Sequence, residues 1–121
     1  MYKLTSLSSL SAAHYLRDYK GTCQRIHGHN WKIEITIESD RMNGLGMVMD
    51  FKEIKELTWQ AVGRFDHQVF NDIAPFDKLN PTAENISKHF YQEIAKLLPE
   101  GIKLSNVKLW ETEKYCIEYS E

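Results

Sequence analysis

The chain has 121 residues, a net charge of −2, 42% hydrophobic and 26% charged residues, which suits a single domain over 1–121 that buries its own core. No basic block clusters anywhere, which argues against nucleic acid as the main partner. No stretch has the length or apolarity of a membrane span or a signal-peptide core, so no membrane association is expected, and the two cysteines are expected as free thiols in a reducing cytoplasm.

Residues 2 to 10 mix Tyr2, Leu4, Leu7 and Leu10 with Thr and Ser and predict a first strand. Trp31, Ile33, Ile35 and Ile37 alternate with Lys32, Glu34, Thr36 and Glu38, the period-two signature of a strand with one apolar face. Residues 39 to 46 contain Asp40, Asn43, Gly44 and Gly46 and read as a turn. Phe51, Ile54, Leu57, Thr58, Ala61, Val62 and Phe65 then follow the three-and-four spacing of an amphipathic helix. Residues 66 to 81 read as a loop. Thr82 suits a helix N-cap with Glu84 in the first turn, followed by an Ile86, Phe90, Ile94 and Leu97 stripe that Pro99 and Gly101 terminate. Two strands close the chain, one carrying Val107, Leu109 and Glu111 on a common face, the other Tyr115, Ile117 and Tyr119. The order strand, strand, helix, helix, strand, strand predicts an α+β fold, with a four-stranded antiparallel sheet covered on one face by two helices.

Five histidines and two cysteines occur in the chain, and three of these seven fall in Cys23-Gln-Arg-Ile-His27-Gly-His29. Residues two apart in a strand leave the backbone on the same face, and His27 and His29 share the parity of Trp31. They extend the apolar face at its leading end if the strand begins that early; the alternative is a pair of surface histidines. His14 follows the first strand, and pairing of the two strands would bring it to the same point. Three neutral imidazoles suit Zn²⁺ and leave its fourth position open, as catalytic zinc sites do. Gly28 between them has a plain role too, relieving crowding in a bulge.

Cys23 has three readings: a fourth ligand closing a structural site, a small buried hydrophobe, or a base or nucleophile whose thiolate the metal and Arg25 favour. Cys116 lies in a strand pattern and is expected in the core. Asp66-His67 is either an ordinary loop pair or a relay in which the carboxylate orients the imidazole and raises its basicity. Glu111 ends an apolar face, a costly place for a carboxylate unless it is paired, binds something or already meets solvent. His89 reads as a boundary residue, and Trp31 and Trp110 as packing residues.

These motifs together resemble the 6-pyruvoyl-tetrahydropterin synthase superfamily: Ser-Ala-Ala-His at 11–14, Cys-x-x-x-His-Gly-His at 23–29, Asp-Phe at 50–51, Asp-His-x-x-Phe-Asn from Asp66, Pro-Thr-Ala-Glu-Asn at 81–85, and Trp-Glu-Thr at 110–112. They fall in family order over nearly the whole chain. The three-residue gap between Cys23 and His27 resembles the bacterial branch that makes 6-carboxy-5,6,7,8-tetrahydropterin for queuosine, and the presence of Cys23 disfavours the branch with glutamate there. The resemblance implies zinc held by His14, His27 and His29, with Cys23 as general base and Asp66 and His67 as a proton relay. It further implies that Glu111 anchors a pterin ring and joins the proton network, and that Thr82 and Glu84 help seat that ring. The substrate implied is a pterin triphosphate; Arg17, Lys20 and Arg25 are candidates to grip the triphosphate, or plain surface cations. The fold implied is the tunnelling fold, in which subunits pool their sheets into a barrel, usually as a homohexamer built from two trimers with active sites between subunits.

Overall fold

A computed structural model describes all residues 1–121. β1 (Tyr2–His14) and β2 (His27–Ser39) form a long antiparallel pair, α1 (Phe51–Val62) follows, then β3 (Gln68–Val69), α2 (Ala83–Leu97), β4 (Lys103–Trp110) and β5 (Cys116–Tyr119). The sheet order is β3-β1-β2-β4-β5. Both helices lie on one face, as expected. The sheet differs from the expected four-stranded antiparallel one: it has five strands and is mixed, because Gln68–Val69 pairs parallel to Ala12–Ala13. Two residues are too few to carry any periodicity, and only the long-range pairing with β1 makes them a strand.

The alternation of β2 is realised in full. Trp31, Ile33, Ile35 and Ile37 are buried, and the register runs to the very end of the hairpin, where His14 faces His27. β1 thus continues four residues past the expected end at Leu10. In β4 the register against β2 skips Ser105, pairing Thr36 with Asn106 and Ile37 with Leu104. Such a bulge lets Leu104 and Val107, three residues apart, both face the core.

Asp50 caps α1, its carboxylate accepting from the Lys52 amide, and Ile54, Leu57, Thr58, Ala61 and Val62 face the sheet. Phe51, expected in this stripe, is exposed, and Phe65 reaches the core from the 3-10 turn that follows the helix. Thr82 caps α2 as expected, its hydroxyl accepting from the Asn85 amide at 3.1 Å. Ile86, Phe90 and Ile94 are buried, whereas Leu97, the last of the expected stripe, is exposed at the helix end. Cys116 does not enter the core: it pairs with Trp110 in the edge strand β5, on the opposite parity to the half-buried Ile117 and Tyr119. Tyr115, just before that strand, is also exposed. No helix is long and apolar enough to cross a membrane.

Candidate metal centre and active site

The hairpin register that joins His14 to His27 puts three imidazoles on the helix side of the sheet, at its end. Their ring centroids lie 4.6 Å (His14–His27), 4.9 Å (His27–His29) and 5.3 Å (His14–His29) apart. The buried Trp31 ring supports them edge-on, 5.0 Å from His14 and 5.2 Å from His29. Its indole N–H donates to the Ala12 carbonyl at 3.1 Å, which fixes that floor.

Backbone carbonyls orient two of the rings. His14 Nδ1 donates to Pro81 O at 2.8 Å, and His27 Nδ1 to Arg25 O at 2.7 Å. A ring that donates through Nδ1 keeps a lone pair on Nε2, the arrangement of metal-ligating histidines with their outer-shell acceptors. Buried polar atoms nearly always have partners, yet His14 Nε2 and His29 Nε2 have none. Glu111 Oε1 comes within 3.1 Å of His29 Nε2, but the two are not aligned as a hydrogen bond. One donor atom from each of His14, His27, His29 and Glu111 lies within 4.8 Å of the others. Ligands held about 2.0–2.1 Å from a common zinc ion would need only to draw in from that spacing. Burial holds the pKa of His14 below its usual 6.5, with the neighbouring His27 adding to the effect and the Pro81 bond opposing it. Burial does the same to His29, opposed by Glu111. Neutral imidazoles at neutral pH are the metal-binding form, so the residues present fit a zinc ion.

Cys23 lies in the 3-10 turn Thr22–Gln24 between the two strands and is half-buried. Its carbonyl accepts from Leu16 N at 2.9 Å. Its thiol is not among the four converging donors, an arrangement unlike a closed site with Cys23 as ligand. Asp66 and His67 do form a pair, Asp66 Oδ2 lying 2.9 Å from His67 Nδ1. Ser11 positions it: its amide donates to Asp66 Oδ1 at 3.1 Å, and its carbonyl accepts from the His67 amide. His67 takes a left-handed φ of 58°, unusual outside glycine, which turns the chain into β3. The Ser11 amide, then His67, hold the Asp66 carboxyl below its ordinary range. The His67 side chain is 81% exposed. The pair sits at the outer edge of β1, and His67 lines an open groove of about 390 Å³ with Ser11, Gly28 and His29. It is not among the donors that converge on the histidine centre.

Glu111 follows β4 and sits where the strand's inward parity directs it. It borders a cavity of about 150 Å³ between the first turn of α2 (Ala83, Glu84) and the β4–β5 hairpin (Leu109, Cys116, Ile117). Two carboxylates and an apolar wall suit a flat heterocycle with several N–H donors. Thr82 does not line this cavity; its hydroxyl oxygen is engaged as the α2 cap. Among the expected triphosphate cations, Arg17 is committed elsewhere. Its guanidinium donates to the carbonyls of Phe76, Asp77 and Leu79 at 2.8–3.3 Å, tying the 76–79 loop to the end of β1. Lys20 and Arg25 are exposed.

Several supporting groups have roles that only the structure shows, although Asn71 ends the motif that begins at Asp66 and Pro81 opens the one at 81–85. Pro81 and Arg25 act through carbonyls that any residue possesses. Asn71 closes a two-point clamp on Tyr15, next to His14: its Oδ1 accepts from Tyr15 N and its Nδ2 donates to Tyr15 O, both at 3.0 Å. Asn80 clamps Arg17 in the same way, at 2.9 and 3.3 Å. The sequence model of the family described as 6-pyruvoyl tetrahydropterin synthase matches residues 3–121. The chain belongs to that family. Among its relatives is a 6-carboxy-5,6,7,8-tetrahydropterin synthase from Rickettsia bellii, 35% identical over 98% of this chain and 99% of the relative. Another, from Pyrococcus furiosus, is named dihydroneopterin monophosphate aldolase and is 32% identical over 92% of this chain and 90% of its own length. The solved 6-pyruvoyl tetrahydropterin synthase of Caenorhabditis elegans shares the fold, with a TM-score of 0.89 at 22% identity over 99% of this chain and 95% of that one. Family membership and the relatives' names make a pterin lyase the class of enzyme to which this chain conforms.

Proposed function

We propose that the protein is a zinc-dependent 6-carboxy-5,6,7,8-tetrahydropterin synthase of queuosine biosynthesis, acting in the cytoplasm. It would convert 7,8-dihydroneopterin triphosphate and water to 6-carboxy-5,6,7,8-tetrahydropterin, acetaldehyde and triphosphate. The observation that carries the reading is the three-histidine cluster, whose buried Nε2 atoms on His14 and His29 lack partners while a free thiol stands off the converging donors. Bound at His14, His27 and His29, zinc would polarise the substrate's side-chain oxygens and acidify the adjacent C–H bonds.

The chain's own groups do the rest. Glu111 and Glu84 accept the N–H donors of the pterin ring in the cavity they border, and Thr82 sets the first turn of α2 that presents Glu84. Cys23 removes a side-chain proton as thiolate. Asp66, held ionised by the Ser11 amide, keeps His67 oriented to take or return the second proton. In the single chain His67 stands exposed at the edge of β1, away from the converging donors. The reading therefore includes assembly: β1 ahead of its short pairing with β3, and β5, leave free edges, and joining them between copies would build the barrel and bring one subunit's Asp66-His67 to another's Cys23. A homohexamer of two trimers is the form proposed.

The related aldolase supports a second reading, cleavage of a pterin monophosphate side chain, in which the phosphate ester survives and no acetaldehyde forms. A closed structural zinc site is the non-enzymatic rival. Cys23→Ala separates catalysis from structure. The synthase reading expects full zinc content and an unchanged melting temperature with turnover abolished. Loss of the metal and of the fold together would establish the structural site instead.

A further inference from the structure

Glu111 faces two places at once. On one side its Oε1 lies 3.1 Å from His29 Nε2, and its carboxylate belongs to the group of four donors within 4.8 Å of one another. On the other it borders the cavity shared with Glu84, Leu109 and Ile117. The contact with His29 is too poorly aligned to be a hydrogen bond, and it leaves the buried Nε2 of His29 without a partner. The two atoms are 3.1 Å apart and grouped with a ring nitrogen of His14 and of His27 within 4.8 Å, a spacing at which one ion could bind all four. His14 Nε2, on a residue only 2% exposed, is likewise without a partner. The backbone at Glu111 is held, its amide donating to Tyr115 O at 3.1 Å across the hairpin end. The side chain is 31% exposed and has room to turn.

We propose that Glu111 is a movable fourth ligand. In the substrate-free protein its carboxylate would close the metal site that three histidines leave open. When a ring with N–H donors fills the neighbouring cavity, the carboxylate would turn to accept them and the fourth position would open. Three histidines alone leave a zinc ion a vacant position that water fills; a carboxylate on a one-residue tether is a stronger competitor for it. Charge-assisted hydrogen bonds from a ring seated between Glu84 and Glu111 give that carboxylate a comparably strong alternative partner. Opening of the metal would then depend on correct seating of the ring, so a ligand lacking those donors would meet a closed site. The inference rests on the metal-dependent reading above and extends it to the order of events.

Cobalt provides a test independent of turnover. The Co²⁺-loaded protein should give the visible absorption of a closed tetrahedral site. Adding neopterin, which carries the ring donors, should shift that spectrum towards the one given by Glu111→Gln without ligand. Glu111→Gln should also bind Zn²⁺ more weakly in chelator competition, by at least the roughly tenfold typical of losing an outer-shell partner. Melting of the metal-free proteins shows whether the variant retains its fold, and the neopterin titration of the parent needs no variant. Identical Co²⁺ spectra and Zn²⁺ affinities for the parent and Glu111→Gln would overturn the fourth ligand. A parent spectrum unmoved by saturating neopterin would overturn its movement. Absence of metal binding by the parent would instead overturn the metal-dependent reading itself, and this inference with it.

Discussion

Asn71→Ala tests whether the site depends on a clamp that reaches across the fold. Asn71 is 5% exposed, and its amide satisfies both the N–H and the C=O of Tyr15, the residue after His14, at 3.0 Å each. Truncation removes two hydrogen bonds worth about 0.5–1.5 kcal/mol each and leaves two backbone groups without partners, a further cost of about 1–3 kcal/mol where water cannot reach them. A total near 3 kcal/mol is expected, which for a domain of this size corresponds to a fall in Tm of roughly 10 °C. Thermal melts of the metal-free protein followed by circular dichroism measure it, with Asn71→Asp as a companion that keeps the acceptor and loses the donor. The alanine variant should also bind zinc more weakly, because the strand end carrying His14 loses its tether. A Tm within about 1 °C of the parent would refute the reasoning, since it would mean that neither bond outweighs solvation.

Three other expectations concern different parts of the molecule. Thr82→Ala should cost about 1 kcal/mol by removing the α2 cap, and Thr82→Ser should restore it, as read from denaturant midpoints. His89 is held below its usual pKa of 6.5, chiefly by burial and then by the charges of Arg64 and Lys96, with Glu93 opposing. The unfolded chain therefore takes up this proton first as pH falls. Stability is unaffected by this group above 6.5 and declines as pH drops through the lower folded-state value. His89→Gln should flatten the part of the Tm–pH curve that lies just below about pH 6.5. His14 and His29 add the same sign in the metal-free protein. Chelation of zinc should lower Tm at pH 7 and flatten its acid dependence, because the metal excludes from the folded histidines the protons that the unfolded chain takes up as pH falls, measured by melts with and without metal.

How much was legible in advance differs between residues for physical reasons. The alternation from Trp31 to Ile37 was readable because one face of β2 is buried and the other is not. The shared parity of His27, His29 and Trp31 followed from the same period, and the hairpin register then supplied His14. Thr82 was readable as a cap because capping is local. Cys116 was misplaced because burial of a strand face depends on what covers it, and nothing local reveals an edge strand. Phe51 matches the helical stripe by spacing but falls at the first turn, where it is exposed and borders an open pocket with Tyr2 and Leu4 of β1. β3 was invisible because its existence depends on Ser11, some 55 residues away, engaging Asp66 and His67. Whether Arg17 is a phosphate ligand or a plain surface cation is open from sequence, because a free arginine and one bound to three carbonyls read identically as letters.

Product analysis tests the central claim most directly. The zinc-loaded protein is incubated with 7,8-dihydroneopterin triphosphate, and the mixture is assayed by mass detection for the pterin product and for acetaldehyde. The account predicts 6-carboxy-5,6,7,8-tetrahydropterin with acetaldehyde and triphosphate in equal amounts, lost on chelation and regained with zinc. Consumption of substrate without acetaldehyde, leaving a 6-pyruvoyl product or a phosphate ester on the released fragment, would contradict it.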